Sequence, residues 1–443
     1  MLGDVDRSSG GQPSRLTIIN AILPSGDKDL SSKLWRIECH SGRVQRVSLQ
    51  LHTIDIPNEQ TIDAGGSLVL PSCEVNTGLF NEALEVTGRA KAAFPLNPDD
   101  LHVRGARLIR ESVQYGVTSM RAHVEVDKVV GFACLDTAQA LQKKFEKVCD
   151  VQIAVFAQEP LFDAPGDTHP GQNFTLLHQA LKRDGINVIG SAPYVEATTE
   201  QAKMNIALIV AAAYENGAHV DFHLDYNLDL SLEPLIYEVI SQVKRIGWTV
   251  APGQTYRRIT IGHATRLQLF DEEEWQRLAE AIKDLPITLV GLPQSDLYMQ
   301  GRDDYEKPLG APRSTLRVPY LLNKYGIEVA MSVNNVQNAF TPQGSLDPLM
   351  LCSLGVALFQ TAAPADIEAL VRSVTLTSKL ALGFDKSDGR CLFPALGDPA
   401  DFVILHGTHS TQSAVLHPPF DRTVIRAGVV VSRKRSFSWL LDD

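Results

Sequence analysis

His219 to Asp229 reads HVDFHLDYNLD, and the fold of the whole chain turns on this stretch. Polar and apolar residues alternate through its first half, and its second half is mostly polar. That is the pattern of a buried strand delivering side chains into a cavity at its C-terminal end. Residues two apart on a strand point to one face, so His223 and Asp225 are expected side by side. An imidazole and a carboxylate placed together can hold a metal, move a proton or satisfy one another. The choice depends on what other strands bring to the same place.

Seven further runs have strand character: SLVLPS (67–72), GVTSMRAHVEV (116–126), VQIAVFAQE (151–159), INVIGSAPYVE (186–196), RITIGHAT (258–265), ITLVGLPQSD (287–296) and IEVAMSVNN (327–335). Amphipathic segments such as LHVRGARLIRESVQ, ACLDTAQALQKKFEKV, TEQAKMNIALIVAAAYENG and DEEEWQRLAEAIKDL fall between them. Eight buried strands, each followed by a helix or long loop, predict an α/β fold of the (β/α)8 TIM-like barrel type. An open doubly wound sheet competes, but it calls for a Gly-rich phosphate loop after its first strand, and PSCEVNTG is not one. Both ends of the chain have a different texture. LTIINAILP, KLWRIECHSG and RVQRVSLQLH near the start, and DPADFVILHG and RTVIRAGVVVSRKRSFSW near the end, are short β-rich runs between turn signals. Each end alone has few strands, so a small composite β-sandwich built from both termini is expected. The expected divisions are a disordered tail over 1–15, sandwich over 16–70, barrel over 71–390 and the rest of the sandwich over 391–443.

The 443 residues, 44% hydrophobic, bury a large core. A formal net charge of -11 argues against a surface that tracks phosphates, so nucleic acid is not an expected partner and a neutral or cationic small molecule is. The six cysteines form no CxxC pair and read as isolated thiols. No apolar run reaches the roughly 18 residues needed to cross a bilayer, and MLGDVDRSSGGQPSR lacks a secretory apolar segment. A cytoplasmic protein without a membrane partner is expected. A homo-oligomer is admitted, although no stretch specifies an interface.

Barrel chemistry sits where strands end. Those ends carry Glu74, Asn76 and Gly78; Arg121, His123 and Glu125; Gln158 and Glu159; Tyr194 and Glu196; His223, Asp225 and Tyr226; His263; Gln294 and Asp296; Asn334 and Asn335. So many polar groups closing apolar strands need a wet cavity or a hydrogen-bonded network.

Taken in order, LVLP, MRAHVEV, AVFAQE, IGSAPYVE, VDFHLD, the pair Gly262–His263 and MQGRDD resemble the amidohydrolase superfamily, specifically its cytosine deaminase-like branch. The resemblance covers nearly the whole chain. It implies a zinc or iron ion held by an HxH pair after strand one, a histidine after strand five and an aspartate after strand eight. It also implies a water-orienting histidine after strand six and a proton-shuttling glutamate soon after the strand-five histidine. Carried over, His223 falls on the strand-five ligand, His263 on the strand-six histidine and Gln158 on a position that reads the amide edge of a substrate. Asn76 and Gly78 fall on the HxH pair, Tyr226 on the shuttle and Asn334 on the strand-eight aspartate. Neutral Asn and Gly are poor ligands for a catalytic divalent ion, so the match describes a degenerate metal site.

The expected catalytic residues are therefore His223, Asp225, His263, Tyr226 and Asp296, with Asp225 orienting His223. The expected substrate contacts are Gln158, Glu159, Tyr194, Glu196, Arg121, Asn334 and Asn76. No metal ligand set and no cofactor are expected; a metal, if bound after all, would be zinc or iron at His223. The plainer reading of Glu159, Glu196 and Asp296 is ion pairing with Arg121 or another cation at the barrel mouth, and of His123 and Glu125 a supporting shell. Three functions of different class follow. The preferred one is an enzyme acting on a small, nitrogen-containing or heterocyclic molecule by metal-independent acid/base chemistry: isomerisation, elimination, cyclisation or simple hydrolysis. The others are a metal-dependent C–N hydrolase with a rebuilt site and a non-catalytic binder of a small molecule or protein.

Overall fold

A computed structural model describes residues 15–22, 33–40, 43–50, 61–63, 87–248, 257–301, 315–338, 340–343, 345–384, 392 and 399–439. The chain divides into two compact units, Met1–Thr77 and Gly78–Asp443. In the first, strands β1 (Arg15–Ile22), β2 (Leu34–His40), β3 (Arg43–Leu49) and β4 (Thr61–Asp63) form one sheet in the order β3-β2-β1-β4. The pairs β1–β2 and β2–β3 are antiparallel and β1–β4 is parallel.

The second unit is built on β5 (Ser119–Glu125), β6 (Asp150–Ala157), β7 (Val188–Ser191), β8 (His219–Leu224), β9 (Ile259–His263), β10 (Ile287–Gly291) and β11 (Val329–Met331). Six lie within strand runs read from the sequence and β6 begins one residue before its run, and they pair in sequence order with every pairing parallel. The run at 67–72, expected as the first barrel strand, lies outside the described residues. Helices such as Ala133–Phe145, Gln172–Leu181, Thr199–Asn216 and Glu272–Ile282 occupy the crossovers. The sequence sets their limits locally: Thr198 caps the third by accepting from Gln201 N, Gly217 closes it at φ 65, and Asp271 with Glu274 forms a capping box on the fourth.

The sheet is curled. Arg121 on β5 reaches Asp221 on β8 and Thr260 on β9, each at 2.7 Å. Strands three apart in a flat sheet would be separated by about 14 Å, further than an arginine extends. Curling gives the sheet two environments. Val220, Phe222 and Leu224 of β8 join the apolar core shared with the helices, while Asp221 and His223 turn to the concave side with Arg121 and His123. This is the TIM-like arrangement expected, with seven strands described.

The C-terminal strands β12 (Phe402–Leu405), β13 (Arg422–Arg426) and β14 (Val429–Lys434) form an antiparallel sheet within the barrel unit. Arg422, fully buried, ties it down: its two Nη atoms donate to Asp347 Oδ1 and Oδ2 at 2.7 and 2.6 Å, and Nη1 also donates to Tyr115 O at 2.9 Å. Among the described residues, no helix is long and apolar enough to cross a membrane.

Candidate functional site

Strand alternation loads the concave side with polar groups. From β5 come Arg121, His123 and Glu125; from β8 come Asp221 and His223. Asp221 Oδ2 accepts from Arg121 Nη1, and Asp221 Oδ1 lies 3.2 Å from His123 Nε2. Burial would raise this carboxyl, but His123 and Arg121 hold it well below the usual carboxylate range, so it is ionised. His223 is ringed by His123, Phe156 and His263, with centroids 4.8, 4.5 and 5.0 Å away. Burial and then the neighbouring imidazoles keep its pKa well below the ordinary value, so His223 is neutral at pH 7. Its ring stands where it does because the paired residue on β9 is Gly262, whose Cβ, if present, would lie 3.2 Å from His223 Cδ2. The floor below is closed by Gln152, which accepts from Arg121 Nε and donates to Leu382 O.

A second group stands at the end of β9. His263 Nδ1 lies 2.7 Å from Asp296 Oδ1, while Asp296 Oδ2 accepts from Leu292 N at 3.1 Å and Thr315 Oγ1 at 2.7 Å. The backbone turns sharply there, with φ 67 at His263 and 51 at Ala264, which carries the ring off the strand and over Asp296. The Tyr226 ring packs against His263 with centroids 3.9 Å apart and planes tilted by 33°. Burial and the Asp296 charge push the Tyr226 phenol up, so it stays protonated. Thus His263, Asp296 and Tyr226, read separately from three loops, come together.

The rim is made by Gln158, whose Nε2 donates to Tyr194 Oη at 3.4 Å, and by Asn334, whose Nδ2 donates to Ser295 Oγ at 3.0 Å. Burial raises the Tyr194 phenol. Glu159 Oε1 pairs with Lys91 Nζ at 2.8 Å, and the same ammonium meets Glu125 and Asp127 at 2.7 and 2.6 Å. Burial works against that charge, but Glu125 and its neighbours hold Lys91 above its ordinary pKa. Gln158, Glu159, Tyr194, His223, Tyr226, His263 and Asn334 line one cavity.

Four expectations are corrected. Asp225 does not orient His223: just past β8 it adopts φ 51, and its oxygens accept from Leu235 N at 2.8 Å and Ile236 N at 3.1 Å, capping the helix Ile236–Arg245. Asp221, on the strand proper, is the carboxylate beside the histidines. Arg121 is not presented to a substrate, because Gln152, Asp221, Thr260 and Ala381 O engage its donors. Glu196 braces a loop, accepting from Leu161 N and Asn205 Nδ2. Asn76, with Glu74 and Gly78, lies outside the described residues. His123, expected as supporting shell, stands in the site itself, and Asp221 and Lys91 were missed. The period of two that selected His223 also selects Asp221, whereas nothing near Lys91 marks it.

The metal that the resemblance implies needs charged or imidazole donors at its four positions. The strand-eight carboxylate is replaced by Asn334, a neutral amide already donating to Ser295, and of the family's described ligand positions only His223 carries a metal-binding group. The described residues do not fit the family's four-ligand arrangement.

No family model matches the chain. It is 28% identical to a pterin deaminase of Rhizobium rhizogenes over 226 residues, 51% of this chain and 47% of that protein. It is 22% identical to the uncharacterized protein YahJ of Escherichia coli over 328 residues, 74% of this chain and 63% of that protein. The matched stretches thus span about half to two thirds of these relatives. Among solved structures, 5-methylcytosine deaminase from Klebsiella pneumoniae liganded with 5-fluorocytosine superposes with a TM-score of 0.68 at 22% identity, covering 96% of this chain and 99% of that one. N-isopropylammelide isopropylaminohydrolase from Burkholderia multivorans gives 0.62 at 20% identity, covering 95% and 99%. The resemblance read from the sequence is matched in fold by 5-methylcytosine deaminase and N-isopropylammelide isopropylaminohydrolase, and in sequence by a pterin deaminase over about half of this chain.

Proposed function

We propose that this chain is an amidohydrolase-fold enzyme that acts on a small nitrogen heterocycle, with acid/base work done by its own side chains rather than by a metal in the family's four-ligand arrangement. The observation carrying this reading is the 2.7 Å contact of His263 Nδ1 with the fully buried Asp296, beside the packed ring of Tyr226. With Nδ1 engaged by Asp296, the Nε2 lone pair is left as the base, and the carboxyl group beside the ring stabilises the imidazolium formed when it accepts a proton. Tyr226, kept protonated, supplies a donor beside it. Gln158 at the rim offers a donor and an acceptor to the edge of a flat ring, and Tyr194 and Tyr226 offer faces to stack on. Proton transfer at a ring nitrogen or carbon, isomerisation, elimination, cyclisation and simple hydrolysis all lie within that inventory. The likeness to a pterin deaminase and to a 5-methylcytosine deaminase supports the heterocyclic substrate class.

A second reading, metal-dependent C–N hydrolysis in a rebuilt site, is favoured by one observation: donor atoms of His123, Asp221 and His223 all lie within 4.8 Å of one another.

The test is a turnover screen of cytosine-like and pterin-like heterocycles, followed by chromatography and mass detection, with the full chain and its His263→Asn variant. Turnover lost in the variant supports the acid/base assignment. Turnover that survives unchanged removes His263, and heterocycles that bind without conversion by the full chain identify a binder instead.

A further inference from the structure

We propose that His123, Asp221 and His223 form a binding site for a divalent transition metal, displaced from the position implied by the family's ligand pattern. The proposal goes beyond the acid/base reading above and rests on the geometry that favours the second one, for which it names the ligands and their positions. Two of its three donors, His123 and Asp221, occupy positions that the family pattern does not use for metal.

The argument begins with the strands. Alternation brings His123 up from β5, and Asp221 and His223 from β8, and the curl of the sheet faces them across the concave side. One donor atom from each then lies within 4.8 Å of the others. The His123 Nε2 to Asp221 Oδ1 separation is 3.2 Å. Two ligands bonded at 2.0–2.1 Å to one tetrahedral zinc are about 3.4 Å apart, so this edge already has the required length.

A simple His–Asp hydrogen bond would account for that edge, but not for His223. His223 is 9% exposed and hydrogen-bonds to no other described residue, while its ring packs against His123 on one side and His263 on another. Its ring borders the cavity, so a nitrogen lone pair is open to a ligand from that side. Gly262 removes the side chain that would otherwise crowd the ring, which keeps the approach to its nitrogen open.

The surroundings have the form of a metal's outer shell. Arg121 donates to Asp221 Oδ2, which fixes the carboxylate and turns Oδ1 toward His123. Gln152 holds Arg121 from the other side. His123 has 34% of its side chain exposed, so the face toward the cavity is left to solvent or substrate. Two imidazoles and one carboxylate with open positions suit zinc, cobalt or ferrous iron.

The probe is the metal alone. The full chain, stripped with a chelator, is titrated with Co²⁺ while the visible spectrum is read, and then with competing Zn²⁺. One equivalent of Co²⁺ should give ligand-field bands that Zn²⁺ abolishes. Affinity should fall at least tenfold in His123→Ala and in Asp221→Asn, and stay unchanged in the surface variant His417→Ala. Because Asp221→Asn strips a buried partner from Arg121 and is prone to unfold, His123→Ala, at an exposed ring, carries the decision, with circular dichroism confirming its fold. Absence of a single saturable site, or a spectrum and affinity that survive His123→Ala, overturns the proposal. The readout is binding and not turnover, so failure of the acid/base reading and failure of this one are told apart.

Discussion

Arg121 Nη1 donates to Asp221 Oδ2 at 2.7 Å, joining β5 to β8 across the concave side of the sheet. The pair is nearly closed to solvent, with 5% and 7% of the side chains exposed. Replacing the arginine leaves an ionised carboxylate without its counter-charge in a poorly solvated place. Arg121→Met is expected to lower unfolding free energy by about 3–5 kcal/mol, read by denaturant unfolding. A loss below about 1 kcal/mol, the range of surface pairs, would mean that water screens the pair.

His263 and Asp296 act together if the acid/base reading holds. His263→Asn should reduce turnover of an identified substrate by about 10²–10⁴-fold, and Asp296→Asn by a comparable factor, with the double variant little worse than either single one. Steady-state rates decide this. Multiplicative losses would indicate two independent roles.

Asp225 is a pH-sensitive cap. Burial, opposed by the Leu235 and Ile236 amides, pushes its carboxyl up from 3.8 to about 6. The native state therefore binds this proton more tightly than the unfolded chain does. The stabilisation linked to it is complete below the unfolded pKa and is lost as pH rises through about 6. Asp225→Asn keeps an acceptor for the cap and carries no charge. Its stability relative to the native chain should rise between pH 4 and pH 7 by up to about 3 kcal/mol. Denaturation curves across that range test it, and a difference that does not move with pH rejects the shifted carboxyl.

Gly383 stands under the barrel floor at φ 78, where an added Cβ would overlap His219 Cε1. Gly383→Ala is expected to cost about 1–3 kcal/mol from backbone conformation alone, with a further penalty as the His219 ring is displaced. The equivalent change at Gly217, also left-handed at φ 65 but with nothing within 4 Å, should show only the backbone part. Thermal unfolding of both variants separates the two contributions, and equal losses would mean that the ring yields freely.

Much of this protein was legible in local pattern. Period-two alternation and the helical segments between apolar runs predict the seven described strands of the curled sheet, because these patterns depend on neighbours a few residues away. The same alternation places His223 and Asp221 on one face. It fails at Asp225, where the strand has ended and φ turns to 51, so the carboxylate leaves to cap a helix ten residues on. Other decisions belong to tertiary structure alone. His263 and Asp296 are 33 residues apart, Arg121 and Asp221 a hundred, and Lys91 and Glu159 sixty-eight. No local signal pairs them, since each contact exists only because the curl of the sheet and the turns at its strand ends bring those side chains to one side. The residue types that supply the chemistry were written in the chain; which of them share a proton, a charge or a candidate metal was decided by the curl of the sheet.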